Sequence, residues 1–317
     1  ALDRFNAERS NVRAAVQRSV DAGERDVAAR LIRNTLGFMA RRSGEREVMA
    51  WIEATLPGTT AAVRGRLLVL HALLSGVLDD LTAVRPSLDE GLRLLPDDAD
   101  HAYDHALASM AGVYSAIATA DTQTWGRGIE ETTARFAALG HDLGRTFMEM
   151  FSGELAFVLG DLEAAERRYG AALDLARRLG DQPLTGQALS MQGLVLLTRG
   201  ETGRGTRLVV DGAAVNRRDG QPTSIAFSLE GLAAVALADG RPSVTAGALA
   251  VAAAMRHHLA LPRTPALAGL MDDLAARARE RLGPDAYDAA WSEAEGRPYL
   301  QALDRALRDL AGAGTGG

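Results

Sequence analysis

From about residue 99 to residue 260 the chain alternates apolar stretches of helical spacing with short polar breaks that recur at a fixed interval. Leu155, Val158, Leu159, Leu162, Ala165, Tyr169, Ala172, Leu173 and Ala176 follow the helical spacing of apolar positions. Gly160, Gly200 and Gly240 stand 40 residues apart, with Ala120 in the same phase, and Gly140, Gly180 and Gly220 form a second set at that interval. Two interleaved sets predict two helices per repeat. Each glycine reads as the residue just past a helix end, where the left-handed backbone costs glycine little, and Asp161 and Asp181 read as N-caps of the helices that follow. Pro183, Pro222, Pro242, Pro265 and Pro284 fall where a first-turn proline is tolerated. No period-two strand pattern competes, so the fold class expected is all-α, a right-handed α-solenoid with a period of about 40 residues.

At 317 residues the chain exceeds what one compact core of roughly 250–300 residues supports, which again favours a core spread along a solenoid. Residues 1–311 are read as that solenoid, in three stretches. Residues 1–98 are less regular, with breaks near Gly23, Gly44, Pro57 to Thr60, Gly76 and Pro96 to Asp98. Residues 99–260 hold the regular repeats, and 261–311 form short capping helices carrying Tyr287, Trp291, Tyr299 and Leu303. Residues 312–317 are a Gly-rich tail expected to be flexible. Trp125-Gly126-Arg127-Gly128 is expected to interrupt the helix after Ala120.

Composition mainly excludes. There is no Lys, so all 35 basic side chains are Arg, set against 41 acidic ones for a formal charge of −6. A phosphate-gripping Lys is therefore impossible, and the lack of Cys removes thiolate nucleophiles, disulfides and Cys-ligated metals. An acidic chain with 5% aromatic residues lacks the basic stripe and stacking platforms that nucleic acid requires. The longest apolar stretch, Leu67 to Leu78, is broken by His71 and Ser75, so no membrane contact is expected and a cytoplasmic location is.

With Gly200 at an inter-helix turn, Gly193, Gly205 and Val209 fall where the tetratricopeptide pattern has a small residue, a second small residue and a bulky apolar one, and Gly160 likewise gives Gly153, Ala165 and Tyr169. The repeats thus resemble tetratricopeptide repeats, and HEAT-type repeats have a compatible period. The opening, Glu8-Arg9-Ser10-Asn11-Val12-Arg13-Ala14-Ala15, and the ending, Leu229-Glu230-Gly231-Leu232-Ala233 with Gly283-Pro284-Asp285-Ala286-Tyr287 through Trp291, add a second likeness. They resemble the repeat region that follows the nucleotide-binding module in actinobacterial antibiotic-regulatory proteins (SARP type) and large ATP-binding LuxR-type (LAL, STAND-class) transcriptional regulators. That resemblance implies a sensing or docking arm, with nucleotide-binding and DNA-binding modules on the same full-length chain. Ala1, where an initiator Met would stand, reads either as part of a larger chain or as the product of Met removal. Neither the Gly-rich loop ending in Lys nor a helix-turn-helix is present in these 317 residues.

No catalytic residues, metal site or cofactor are expected. His101 and His105 share a helix face but lack a clear third ligand; His257 and His258 read as surface residues; Ser115, Thr119, Asp121 and His141 form no recognisable triad. The acidic pairs Glu130-Glu131 and Asp272-Asp273 read as solvated faces with Arg partners. The first helix of each repeat should line the concave face with Met110, Tyr114, Phe147, Met150, Phe151, Glu154, Phe157, Gln187, Met191, Leu194, Phe227 and Glu230. An apolar groove with a few polar groups, Glu154 and Glu230 at its rim, suits a small hydrophobic effector, with core packing the competing account of each residue. The alternative is a scaffold that docks a helix, peptide or protein partner, including the regulator's own nucleotide-binding module.

Overall fold

In the computed structural model, residues 2–40, 44–78, 80–259, 261 and 263–311 are described. The expected tail, 312–317, lies outside them. The chain divides into two compact units, Ala1–Gly140 and His141–Gly317. The first holds α1 (Leu2–Asp21), α2 (Arg25–Ala40), α3 (Glu45–Thr55), α4 (Ala61–Val77), α5 (Leu81–Leu94), a single 3-10 turn at Ala99–His101, α6 (Ala102–Ala118) and α7 (Thr122–Ala138). The second holds α8 (Asp142–Val158), α9 (Leu162–Leu179), α10 (Gln182–Thr198), α11 (Thr202–Asp219), α12 (Pro222–Ala238), α13 (Pro242–Leu259), α14 (Pro265–Leu282), α15 (Pro284–Glu295) and α16 (Tyr299–Ala311). Among the described residues there is no strand, and within each unit successive helices pack as neighbours, as in an α-solenoid.

The rhythm comes from the helix ends. Gly140, Gly160, Gly180, Gly200, Gly220 and Gly240 all take positive φ, between 62° and 82°. At Gly160 the chain turns so that the Gly160 N–H donates to the Phe157 carbonyl at 3.0 Å and the Asp161 N–H to the Ala156 carbonyl at 2.9 Å, satisfying carbonyls the helix leaves open. Asp161 then accepts from the Ala164 N–H at 2.9 Å, and Asp181 from that of Leu184 at 3.2 Å. Ala120 makes the same turn with φ 52°, where its Cβ is strained. His141 stands in for a capping carboxylate, its Nδ1 accepting from the Gly144 N–H at 3.0 Å.

Pairs of helices meet at glycine. A Cβ on Gly193 of α10 would lie 2.9 Å from the Gly205 carbonyl oxygen of α11 and 2.7 Å from Val209 Cγ2. One on Gly153 would lie 2.8 Å from the Tyr169 ring, which is buried between α8 and α9. Contrary to expectation, α7 runs unbroken through Trp125–Gly128. Glycine within a helix costs only about 1 kcal/mol. Here Gly128 admits Val113 of α6, whose Cγ2 lies 3.1 Å from where a Cβ would sit, while Trp125 is buried. The first unit also buries Asp104, held by Arg33 of α2 at 2.8 Å and Arg66 of α4 at 3.1 Å.

These glycines fall into distinct stability classes in chemical denaturation. Ala120→Gly should stabilise by roughly 1 kcal/mol through relief of the left-handed strain. Gly112→Ala, with nothing within 4 Å of the new methyl, should stabilise by about 0.5–1 kcal/mol. Gly193→Ala should destabilise by about 1–3 kcal/mol, because the methyl meets backbone that has nowhere to move. A neutral Gly193→Ala would contradict the packing described.

Candidate functional site

The twelve residues expected on the inner face divide between the two units. In the first, Met110 is buried and Tyr114 packs on α4, its Cβ 2.7 Å from where a Cβ of Gly76 would sit. In the second, α8 carries Phe147, Met150, Phe151, Glu154 and Phe157, α10 carries Gln187, Met191 and Leu194, and α12 carries Phe227 and Glu230. Met150 and Phe151 are buried, and Met150 shares a core with Ala165, Tyr169 and Leu189. Phe147, Gln187 and Phe227 are half-buried.

Four of the twelve converge. Glu154, Phe157, Met191 and Leu194, with Val195, face Ala266, Leu267 and Leu270 of α14 across a cavity of ≈ 10 Å³, room for about one water. The stretch read as a terminal cap thus supplies a helix that lies on the inner side chains of α8 and α10. Ala266, Leu267 and Leu270 follow Pro265 with the spacing of an apolar helix face, so the sequence offers a helix that needs a partner surface but not the identity of that surface.

Glu154 and Glu230 are not at a rim: they are 9% and 0% exposed. Their exposure depends on the start of α14, which returns over the groove from far along the sequence. Arg256, in the last turn of α13, grips Glu230 with both prongs, Nε to Oε1 at 2.6 Å and a terminal nitrogen to Oε2 at 2.7 Å. Arg263, just before α14, adds a bond to Oε1 at 2.7 Å. The Arg256 guanidinium also lies 5.0 Å from the Phe227 ring centre. A carboxylate so enclosed gains from two permanent positive charges, and removing one partner from such a pair costs about 3–5 kcal/mol.

Glu154 has no such clamp, and its Oε1 has no hydrogen-bond partner. Burial pushes the Glu154 pKa up to about 7, with the nearby Thr264 hydroxyl opposing. Tyr169 is held well above the ordinary phenol range, first by burial and then by the charge of Glu154. Its hydroxyl is likewise unpartnered. Arg263 therefore attaches the segment before α14 to Glu230, and the Glu154 carboxyl lines the cavity under the first turns of α14.

No family model matches this chain, and no curated protein matches it in sequence.

The remaining polar candidates stay apart. His101 pairs with Asp98 at 2.6 Å, and His105 Nε2 lies 2.9 Å from the Pro96 carbonyl oxygen. Asp121 and His141 cap their own helices, and Thr119 donates to the Ser115 carbonyl. His257 and His258 are exposed and meet edge to face, and Glu131 and Asp273 pair with Arg135 and Arg277 one helical turn on. Among the described residues no three His, Asp or Glu side chains are grouped to hold a metal ion, and no helix is long and apolar enough to cross a membrane. A second cavity of ≈ 200 Å³ lies among α13, α15 and α16, lined by Gly247, Ala290 and Ala294 below charges that pair with one another, Arg297 and Arg305 on Glu293.

A carboxyl whose pKa is higher folded than unfolded favours the folded state when protonated. Its contribution is complete below about pH 4.5 and is lost as pH rises through about 7. Glu154→Gln should therefore be more stable than the parent by roughly 2–3 kcal/mol at about pH 8, and equal to it near pH 4. Glu45, also raised to about 7 by burial, acts in the same direction in both proteins and cancels in the comparison. A difference that does not change with pH would refute a buried, titrating Glu154.

Proposed function

We propose that this chain is the effector-sensing, non-enzymatic arm of a bacterial cytoplasmic transcriptional regulator, a right-handed solenoid of tetratricopeptide-like repeats that binds a small hydrophobic molecule on its inner face. The observation that carries this is the convergence of Glu154, Phe157, Met191 and Leu194 on one apolar cavity with a single polar group in it. Small-molecule sites have that composition. The 20-residue spacing of helix starts from Ala102 to Pro242 and the resemblance at both ends of the chain support the repeat and regulator parts of the proposal.

In the state described, α14 fills the groove. Binding therefore requires α14 to shift, and a ligand that binds only the shifted state biases the equilibrium toward it by its differential affinity. That link between occupancy and the position of a helix is what a sensor needs. A second reading, a scaffold that docks a helix, is favoured by the same seat of Ala266, Leu267 and Leu270, since a groove that accepts one apolar helix face has the shape to accept another.

Thermal unfolding against a panel of hydrophobic secondary metabolites separates the two. A ligand at ~100 times its dissociation constant adds about 2.7 kcal/mol of stability. A saturable rise in midpoint that is lost in Met191→Ala is the outcome expected of a sensor. A flat panel, with capture of a separately expressed nucleotide-binding module, would replace it with the scaffold.

A further inference from the structure

We infer that the cavity among α8, α10 and α14 is built for a hydrophobic amine, whose ammonium group pairs with Glu154 Oε1 while its apolar body takes the place of Ala266, Leu267 and Leu270 against Phe157, Met191 and Leu194. This rests on the small-molecule reading above and adds the chemical class of the ligand.

The other buried carboxylates of this fold are each met by donors: Asp104 and Glu230 each face two guanidinium groups within 3.1 Å, and Asp181 accepts from the Leu184 N–H at 3.2 Å. Glu154, 9% exposed, has no cation, and its Oε1 is left unpartnered. The rest of the lining is Phe157, Met191, Leu194, Val195, Ala266, Leu267 and Leu270, which offers no donor. A buried ionised carboxylate without a partner is strongly unfavourable, so a ligand that brings positive charge gains more here than a neutral one of the same shape.

Oε1 of Glu154 is the open acceptor, and a compact ammonium donor needs no more than one oxygen. A metal ion needs more oxygen or nitrogen ligands than one, and among the described residues no such group exists. The seven apolar neighbours set the rest of the ligand as aliphatic or aromatic.

The ≈ 10 Å³ cavity cannot hold such a molecule with α14 in place, so entry displaces the first turns of that helix. Ligand and helix start thus compete for the same apolar seat against Phe157, Met191 and Leu194, and occupancy is read as the position of α14. The Arg263 bond to Glu230 lies outside that competition and keeps the segment before α14 attached.

The test uses the full chain with two probes of nearly the same shape, 2-phenylethylammonium and 2-phenylethanol, by thermal unfolding and titration calorimetry at about pH 8, where the amine is charged and Glu154 is ionised. The amine should bind saturably and roughly ten-fold tighter than the alcohol or better, and Glu154→Gln should erase that preference. Leu270→Phe, which fills the cavity and keeps the carboxylate, should weaken both probes; circular dichroism establishes that each variant is folded. Equal binding of the two probes, or an amine preference that survives Glu154→Gln, overturns the inference. Binding of the alcohol alone, lost in Met191→Ala, overturns the amine class but leaves the small-molecule reading intact. Binding of neither probe, together with a flat metabolite panel, removes both.

Discussion

When the backbone of one helix touches the backbone of the next, the pair behaves as a single slab, and α10 and α11 of the second unit form such a slab. The contact between Gly193 and the carbonyl of Gly205, repeated between Gly212 and that of Gly186, brings α10 and α11 together without side chains between them. In the first unit Gly65 and Gly91 do the same for α4 and α5. Side chains that would have filled those seams point elsewhere, and on α8 and α10 this leaves Glu154, Phe157, Met191 and Leu194 facing a further partner. That partner is α14. The cavity is a consequence of the close pairing, because three surfaces of fixed spacing do not mesh completely.

The all-arginine composition shapes the interior as well as the surface. Guanidinium groups stay charged and carry a planar fork, so a buried acid can be met by two of them from different helices, as Arg33 and Arg66 meet Asp104. Both double clamps tie together segments distant in sequence: α2, α4 and α6 at Asp104, and α12, α13 and the segment before α14 at Glu230. Glu154 departs from this pattern, with no cation beside it and Oε1 unpartnered.

What could be read from the sequence was what local rules determine. A glycine past a helix end and an aspartate one residue later report on backbone within a few positions, and Gly160-Asp161 and Gly180-Asp181 behave as those rules require. The touching glycines were legible because a small residue at a fixed distance from a turn has one packing role. The Trp125–Gly128 segment was misread because a propensity of about 1 kcal/mol per glycine is easily outweighed by the burial of Trp125 and the contact with Val113. The stripe on α8 and α10 could be named by helix face, but whether its members face water depends on α14, a hundred residues away from α8. Nothing local in Glu154 or Glu230 says that an arginine and a threonine from position 263 onward will cover them.

The carboxyl at position 154 is also a cost to the fold. An apolar side chain of similar length there would exchange a buried, unpartnered oxygen for packing, the kind of change by which proteins commonly gain stability. Among the residues lining the cavity Glu154 alone is polar, so what this lining gives up in stability is concentrated in one side chain.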